Sequence, residues 1–89
     1  MKRRYLEVTF RKGKPLAAYL YLPRSPEARV ARTLDGGHGV RADLDEHGAL
    51  IGLEITAPSA VTVSELNAIL AQHGVPALDA EEWAPLAAA

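Results

Sequence analysis

The acidic side chains between residues 43 and 54 are the first candidates for chemistry in this sequence. Two carboxyl groups can act together as acid and base when they lie roughly 5–9.5 Å apart. The pairing predicted for the hairpin that carries Asp43 and Glu54 places Asp43 opposite Leu50, four residues along the strand from Glu54. At about 3.3 Å per residue the two carboxylates are then roughly 13 Å apart. This spacing predicts no catalytic carboxylate pair.

The histidines and serines do not form a second kind of site. His38, His47 and His73 are predicted in a loop, at a turn tip and at a helix end. None has a second ligand at the i, i+4 or Cys-x-x-Cys-like spacing of metal sites. The serines lie beside prolines or in a predicted helix cap, where bonds to the local backbone explain them. These serines are Ser25, Ser59 and Ser64. We therefore expect no catalytic residue, no metal and no cofactor, and a protein that is not an enzyme.

The chain is organised around a β-hairpin predicted over Val40–Thr56. Side chains alternate between the two faces along a strand, and each arm of this segment has one apolar face. The two apolar faces coincide when Leu44 lies opposite Ala49. Residues 45–48 then form a four-residue loop, in which Gly48 can adopt a left-handed conformation without a Cβ clash.

A second hairpin is predicted near the start of the chain. Residues 4–11 and 16–22 both alternate, and the polar loop 11–15 joins them. Placing Phe10 opposite Leu16 brings the apolar faces together. The outer face then carries three tyrosines, with Leu50 on the outer face of the later hairpin. These tyrosines are Tyr5, Tyr19 and Tyr21. Cross-strand aromatic pairs alone explain such a face; alternatively a second copy of the chain covers it, and these four residues form a homodimer interface.

A weaker third strand is predicted over residues 28–34, and an edge position would let Arg32 reach solvent. The glycine-rich segment 36–39 leads into a strand rather than a helix, so we interpret it as a turn and not as a phosphate-binding loop.

A capped helix follows the sheet. The segment 62–73 has apolar residues at helical spacing, with Thr62 as N-cap, Glu65 completing a capping box and Gly74 ending the helix. Asp79 can cap a second short turn that Pro85 limits. These patterns predict an α+β fold: an antiparallel sheet of four to five strands with a C-terminal helix packed on one face. The chain is expected to be one domain over 1–89, with the sheet in 4–60 and a helical C-terminal extension in 61–89.

Charge is distributed unevenly along the chain. Residues 1–32 carry nine basic side chains against two acidic ones, a net of +7, and residues 33–89 carry one against nine, a net of −8. The two halves can neutralise each other within the fold or across a dimer, or the basic half can bind nucleic acid or an acidic partner. The residues expected to bind nucleic acid lie beside the tyrosines, which can stack on single-stranded bases. They are Arg3, Arg4, Arg11, Lys12 and Lys14.

Composition places the chain among small globular proteins. At 89 residues it is near the size at which a single core is only marginally sufficient. The sequence has no cysteine, which excludes disulfides and thiolate chemistry. Residues 1–4 resemble the start of a signal peptide, but Glu7 and Arg11 interrupt its apolar region. No apolar run approaches membrane-spanning length, so we expect a cytoplasmic protein that does not contact a membrane.

Several stretches of the sequence resemble one family of small bacterial proteins. The succession YLEVTF, LAAYLYL, VARTLDGGHGVRADLDEHGALIGLEI and APS is similar to domain-of-unknown-function family 2283 (YuzE-like). The resemblance covers about residues 4–60 and is most specific over 43–55, although Leu44 stands where the family tends to have an aromatic residue. It implies an antiparallel sheet with a following helix and no established activity. Some members are encoded beside small ribonuclease-like toxins, which implies an antitoxin-like role.

These observations favour a non-catalytic protein–protein interaction module. An antitoxin-like protein would bind a small basic partner through the acidic half of the chain. The expected partner-binding residues are Asp43, Asp45, Glu46, Glu54 and Trp83. The segment that carries Trp83 is either an arm that lies in a partner's groove or the cover of the sheet's own apolar face. A nucleic-acid-binding module that uses the basic half is the second hypothesis.

Overall fold

A computed structural model describes residues 3–87 of the protein. These residues form a five-stranded antiparallel sheet with two α-helices. The α+β class predicted from the sequence is confirmed. The strands are β1 (Tyr5–Arg11), β2 (Lys14–Tyr21), β3 (Arg32–Gly37), β4 (Val40–Leu44) and β5 (Leu50–Ile55), and the helices are α1 (Val63–Gln72) and α2 (Ala80–Ala87). Their order across the sheet is β1-β2-β5-β4-β3. Three pairs of chain neighbours form hairpins, namely β1–β2, β3–β4 and β4–β5, and β2 pairs with β5 to join the first hairpin to the rest of the sheet.

The first hairpin has a tighter turn than the sequence predicts. Lys12 and Gly13 both have positive φ (53° and 76°), which is typical of a two-residue turn that follows the twist of its strands. Phe10 lies opposite Pro15, and Leu16 is an extra residue in β2. Phe10 and Leu16 were both predicted to face the core, but they are 50% and 53% exposed. They lie beyond the end of β5, which pairs with β2 only as far as Ala18.

The central hairpin contains a bulge that the alternation pattern does not reveal. Leu44 lies opposite Leu50, while Asp43 lies opposite Gly52, so Ile51 is the extra residue. An extra residue breaks the regular alternation of the strand. The turn also spans residues 45–49, one residue more than predicted, so the predicted pairing of Leu44 with Ala49 is wrong, and so is the placement of Leu50 on the outer face. Leu50 is a core residue, 8% exposed, so it does not lie on the surface predicted as a dimer interface.

The third strand begins later than predicted. β3 starts at Arg32 rather than at residue 28 and continues into the glycine-rich segment. The turn to β4 is His38-Gly39, again with two positive φ angles (57° and 73°). β3 lies at an edge of the sheet, the position that would let Arg32 reach solvent, and Leu34 is 41% exposed there.

Helix α1 has both of the ends that the sequence encodes. The Thr62 hydroxyl accepts the Glu65 N–H at 3.1 Å, and the Glu65 carboxylate accepts the Thr62 N–H at 2.8 Å, a complete capping box. Gly74 has φ 71°, and the Val75 N–H donates to the Leu70 carbonyl at 2.9 Å, which closes the C-terminal end. The predicted helix and its caps are therefore confirmed.

The core lies between the inner face of the sheet and the segment that follows it. Leu66, Ile69 and Leu70 of α1 are buried against the inward-facing residues of the strands. The buried strand residues in this cluster are Leu6, Ala18, Leu20, Val40, Ala42, Leu44, Leu50, Leu53 and Ile55. The protein thus has a packed inner face and, opposite it, an outer face that neither helix covers.

Helix α2 is longer than the short turn predicted after Asp79. It continues to Ala87 with Pro85 inside it, although proline removes one helical hydrogen bond. Asp79 and Glu82 exchange bonds of 2.8 and 3.0 Å between side chain and backbone, a second capping box. Leu86 is buried in the core, so capping and burial hold the helix together past the proline.

One arginine joins the first strand to the C-terminal segment. The Arg4 guanidinium contacts Glu82 through Nε–Oε2 (2.6 Å) and Nη2–Oε1 (2.9 Å), and it also donates to the carbonyls of Pro76 (2.6 Å) and Ala77 (2.7 Å). The Arg4 side chain is only 16% exposed. The hydrogen bonds from Arg4 are the main reason that the pKa of Glu82 lies below its ordinary value of 4.5.

We expect Arg4→Ala to lower the free energy of unfolding by about 2 kcal/mol, since bonds to charged groups contribute more than neutral ones. The lowered pKa of Glu82 means that its contribution is present above pH 4.5 and is lost as pH falls through the folded-state pKa. Urea denaturation of wild type and variant between pH 3 and 7 should therefore show a difference that shrinks toward low pH. The exposed neighbour Arg3 is the control, and Arg3→Ala should change stability by less than about 0.5 kcal/mol. Equal losses for the two variants would contradict this assignment.

Candidate interaction surface

The outward side chains of the five strands form two rows across the sheet. Strand pairing places one residue of every strand in each row. The first row is Glu7, Tyr19, Glu54, Arg41 and Asp35, and the second is Tyr5, Tyr21, Gly52, Asp43 and Thr33. We call these ten residues the outer face. Except for Gly52, all of them are exposed or half-buried, so the outer face is available to a partner.

The Tyr19 side chain reaches across one strand and hydrogen-bonds at the centre of the outer face. Its hydroxyl, on β2, donates to Asp43 Oδ2 on β4 at 2.5 Å, passing over Gly52 on the strand between them. Thr33 on β3 donates to Asp43 Oδ1 at 2.7 Å, so both carboxylate oxygens are engaged. Burial and the bond to Asp43 raise the pKa of the Tyr19 hydroxyl well above its ordinary value of 10.0. Tyr19 is therefore a neutral hydrogen-bond donor in the folded protein.

The other two tyrosines extend this contact into an aromatic strip. Tyr5 and Tyr21 stack with ring centroids 4.7 Å apart at 19°, and Tyr21 meets Tyr19 at 4.7 Å and 51°. The Tyr21 hydroxyl donates to Glu7 at 3.2 Å. Burial and the neighbouring Glu7 raise the pKa of Tyr21. Tyr5 is 49% exposed at the end of the strip.

The outer face is acidic. It carries four carboxylates and one guanidinium, that of Arg41. Arg41 lies between Glu54 and Asp35 in the first row, yet among the described residues no ion pair involves any of these three. The net negative charge is thus left to be balanced by solvent ions or by a partner.

The carboxylates Asp43 and Glu54 are closer together than the sequence predicts. Asp43 lies opposite Gly52, so Glu54 is its diagonal neighbour, at about 7–8 Å rather than 13 Å. The predicted distance is wrong because the longer turn and the bulge at Ile51 each shift the register by one residue. A cavity of about 290 Å³ adjoins Glu54, but Asp43 does not line it. Both oxygens of Asp43 already accept hydroxyl bonds, so this carboxylate is engaged within the sheet.

The residues predicted to bind a partner lie on more than one surface. Asp43 and Glu54 belong to the outer face, and Asp45 and Glu46 lie in the turn between β4 and β5. Asp45 accepts the backbone N–H groups of residues 47 and 49, at 2.8 and 3.0 Å, and shapes that turn. Trp83 is half-buried against the core on the inner side of the sheet. The segment that carries Trp83 therefore covers the inner face of this chain.

The basic residues expected to bind nucleic acid fall into two groups. Arg4 is engaged with Glu82 at the beginning of β1, beside Arg3. Arg11, Lys12 and Lys14 lie around the turn at the other end of that strand. At about 3.3 Å per residue, roughly 20 Å separates the groups along β1. The five residues do not form one continuous patch.

The histidines lie on three separate elements. His38 Nδ1 contacts Glu65 at 2.7 Å, and His47 Nε2 lies 3.5 Å from Glu46. His73 is the C-cap of α1. Between residues 3 and 87, no group of three or more His, Cys, Asp or Glu side chains is arranged to hold a metal ion. Within the same span, none of the helices has the length and apolar character needed to cross a membrane.

Sequence reasoning missed the central contact of the outer face. The sequence predicts Tyr19 on the outer face and Asp43 as a partner-binding residue, but it does not join the two and does not assign Thr33 to this surface. A glycine in the middle of a strand is the one signal that was present, because it often marks a close approach of another group. Here that group is the ring of Tyr19.

Comparison with known proteins does not assign the chain to a family. No family model matches the chain, and no curated protein or solved structure matches it. The resemblance to domain-of-unknown-function family 2283 therefore stays a prediction from the sequence.

Proposed function

We propose that this protein is a non-catalytic interaction module whose outer face binds a basic protein. The observation that carries the proposal is the composition of that face: four carboxylates, one guanidinium and a strip of three tyrosines on an open sheet. Complementary charge accelerates association and selects partners. Aromatic side chains supply contact area at low entropic cost.

The way the strip is held supports binding rather than catalysis. Tyr19 is fixed by Asp43, and Tyr21 contacts Glu7, so the aromatic rings are ordered before a partner arrives. Ordered side chains lose less conformational entropy on binding. Glu54 and Arg41 have no hydrogen bond or ion pair from their side chains to the rest of residues 3–87, so they are the polar groups most available for contact.

A homodimer through Tyr5, Tyr19 and Tyr21 is the alternative use of this surface. Two copies that meet face to face would bring carboxylates against carboxylates, and like charges across an interface are unfavourable. Charge therefore favours a basic partner. In the antitoxin-like form of the proposal, this partner is a small basic toxin, which the outer face neutralises by covering its basic surface.

We expect the double substitution of Glu7 and Glu54 by glutamine to weaken partner binding at least tenfold, because it removes half of the negative charge of the outer face. The measurement is co-purification of the tagged protein from its native host, with mass spectrometry of what is retained. Glu46→Gln with Glu81→Gln is the matched control, since it makes the same charge change away from the outer face. Co-expression should also relieve the toxicity of the retained basic protein.

Three outcomes would contradict the proposal. The protein could be recovered alone, or the two double variants could retain the partner equally. Sedimentation could also show a dimer at high micromolar concentration that Tyr5→Ser disrupts, which would assign the outer face to a second copy.

A further inference from the structure

The distal half of the first hairpin extends past the end of β5, where the short 3-10 turn Pro58–Ala60 contacts β2 but no further strand pairs with it. β2 pairs with β5 only over Ala18–Tyr21, whereas β1 and β2 continue to pair with each other as far as Arg11 and Lys14. Residues 9–17 are thus a two-stranded antiparallel ribbon without a third strand, which we call the ribbon arm. Helix α2 lies beside the opposite end of β1, next to Arg4.

The ribbon arm is purely basic. Between Glu7 and Glu27 the chain has four basic side chains and no acidic one. Three of these, Arg11, Lys12 and Lys14, lie within four residues at the tip, and all three are exposed. No hydrogen bond or ion pair of the described residues involves their side chains. The two-residue turn holds them at the end of a narrow element.

The same tip exposes apolar side chains that the core does not use. Phe10 and Leu16 are 50% and 53% exposed and lie next to the three cations. A ligand for this surface has to be anionic and also has to offer apolar contacts. It must also admit an element two strands wide.

We propose that the ribbon arm inserts into a groove of duplex DNA, with Arg11, Lys12 and Lys14 on phosphates and Phe10 and Leu16 against sugars and base edges. The major groove of B-form DNA is wide enough for a two-stranded β-ribbon. Apolar side chains on DNA-binding proteins also contact or wedge between base steps. The major groove of an RNA duplex is deep and narrow, so the shape of the arm selects DNA.

The acidic outer face does not prevent this contact. Glu7, its carboxylate nearest the tip along β1, is five residues from Lys12, about 16 Å along the strand. The Debye length is about 10 Å at 0.1 M salt, so repulsion between Glu7 and a phosphate at the tip is largely screened. The ribbon arm and the outer face are separate surfaces, and DNA binding by the first is independent of partner binding by the second.

The experiment is fluorescence anisotropy of the full chain with a labelled 20-base-pair DNA duplex between 25 and 150 mM salt. We expect weak binding at 25 mM salt, with log affinity falling against log salt at a slope of about −3 for three phosphate contacts. The triple variant R11Q/K12Q/K14Q should lose at least tenfold in affinity and most of the slope. The triple R24Q/R29Q/R32Q removes the same charge from exposed positions outside the arm and should stay within about threefold of wild type. Phe10→Ser should weaken binding severalfold and leave the slope unchanged, since it removes no cation.

Thermal melts establish that each variant is folded. The proposal is overturned if the duplex does not bind at 25 mM salt, or if both triple variants lose affinity equally. It is also overturned if an RNA duplex or a single DNA strand binds as tightly as duplex DNA. Anionic phosphatidylserine vesicles are the last arm of the test, and binding to them without binding to DNA would instead make the tip a membrane contact.

Discussion

Replacing Gly52 by alanine is expected to lower the free energy of unfolding by about 2 kcal/mol, the scale of a lost bond to a charged group. A Cβ at this position would lie 2.5 Å from Cε1 and 2.6 Å from Cζ of Tyr19, and closer still to its hydroxyl oxygen. The ring of Tyr19 would have to leave, and its hydroxyl would lose Asp43. Chemical denaturation at pH 7 measures the loss.

The same substitution should have the opposite sign when Tyr19 is absent. Gly52 does not have the positive φ that favours glycine, so its backbone can accommodate any residue. In a Tyr19→Ala background nothing from the tyrosine opposes the new methyl group, and alanine in a strand is favoured over glycine by about 0.5–1 kcal/mol. The double-mutant cycle therefore separates steric exclusion by Tyr19 from any other role of the glycine. A loss of equal size in both backgrounds would show that Tyr19 does not explain Gly52.

Helix α1 and the fold class could be predicted from the sequence because their signals are local. The capping box at Thr62 and the glycine at 74 act within a few residues, and each appears in the structure as the sequence implies. Alternation likewise predicted which residues of β1 and β2 face outward near Tyr5 and Tyr19.

Register could not be predicted in the same way. A bulge such as that at Ile51 leaves no fixed pattern in the sequence. Because Leu50 and Ile51 are both apolar, the alternation pattern is the same whichever of the two faces the core. The error moved Leu50 to the wrong face and nearly doubled the estimated distance between Asp43 and Glu54. Contacts that join three strands, such as Tyr19 over Gly52 to Asp43, depend on register and become visible only in the structure.

The exposed tip of the first hairpin depends on strand length rather than on pattern. Phe10 and Leu16 continue the alternation that is typical of buried positions, so the sequence predicts them to face the core. β5 ends too early to support them, because Ile55 lies opposite Ala18. An apolar pattern therefore indicates which face a residue occupies, and only the neighbouring strand determines whether that position is covered.

Helix α1 is expected to be the element on which the stability of the domain depends most. Leu66 is completely buried between α1 and the sheet. Replacing a buried leucine by alanine costs 2–5 kcal/mol, through lost transfer free energy and the cavity left behind, and we expect about 3 kcal/mol for Leu66→Ala. A domain of this length has a total stability of roughly 4–13 kcal/mol, so the variant should unfold at a much lower denaturant concentration and lie near the limit of folding.

Two further variants make this result interpretable even if Leu66→Ala does not fold. Leu66→Met keeps the side-chain volume and should cost less than about 1.5 kcal/mol, so it remains measurable. Leu16→Ala removes the same atoms from a side chain that is 53% exposed, and we expect a change within about 0.5 kcal/mol. Urea denaturation should therefore rank the losses as Leu66→Ala, then Leu66→Met, then Leu16→Ala. A loss for Leu16→Ala as large as that for Leu66→Ala would mean that the ribbon arm is packed in solution, which would also contradict its role as a free surface.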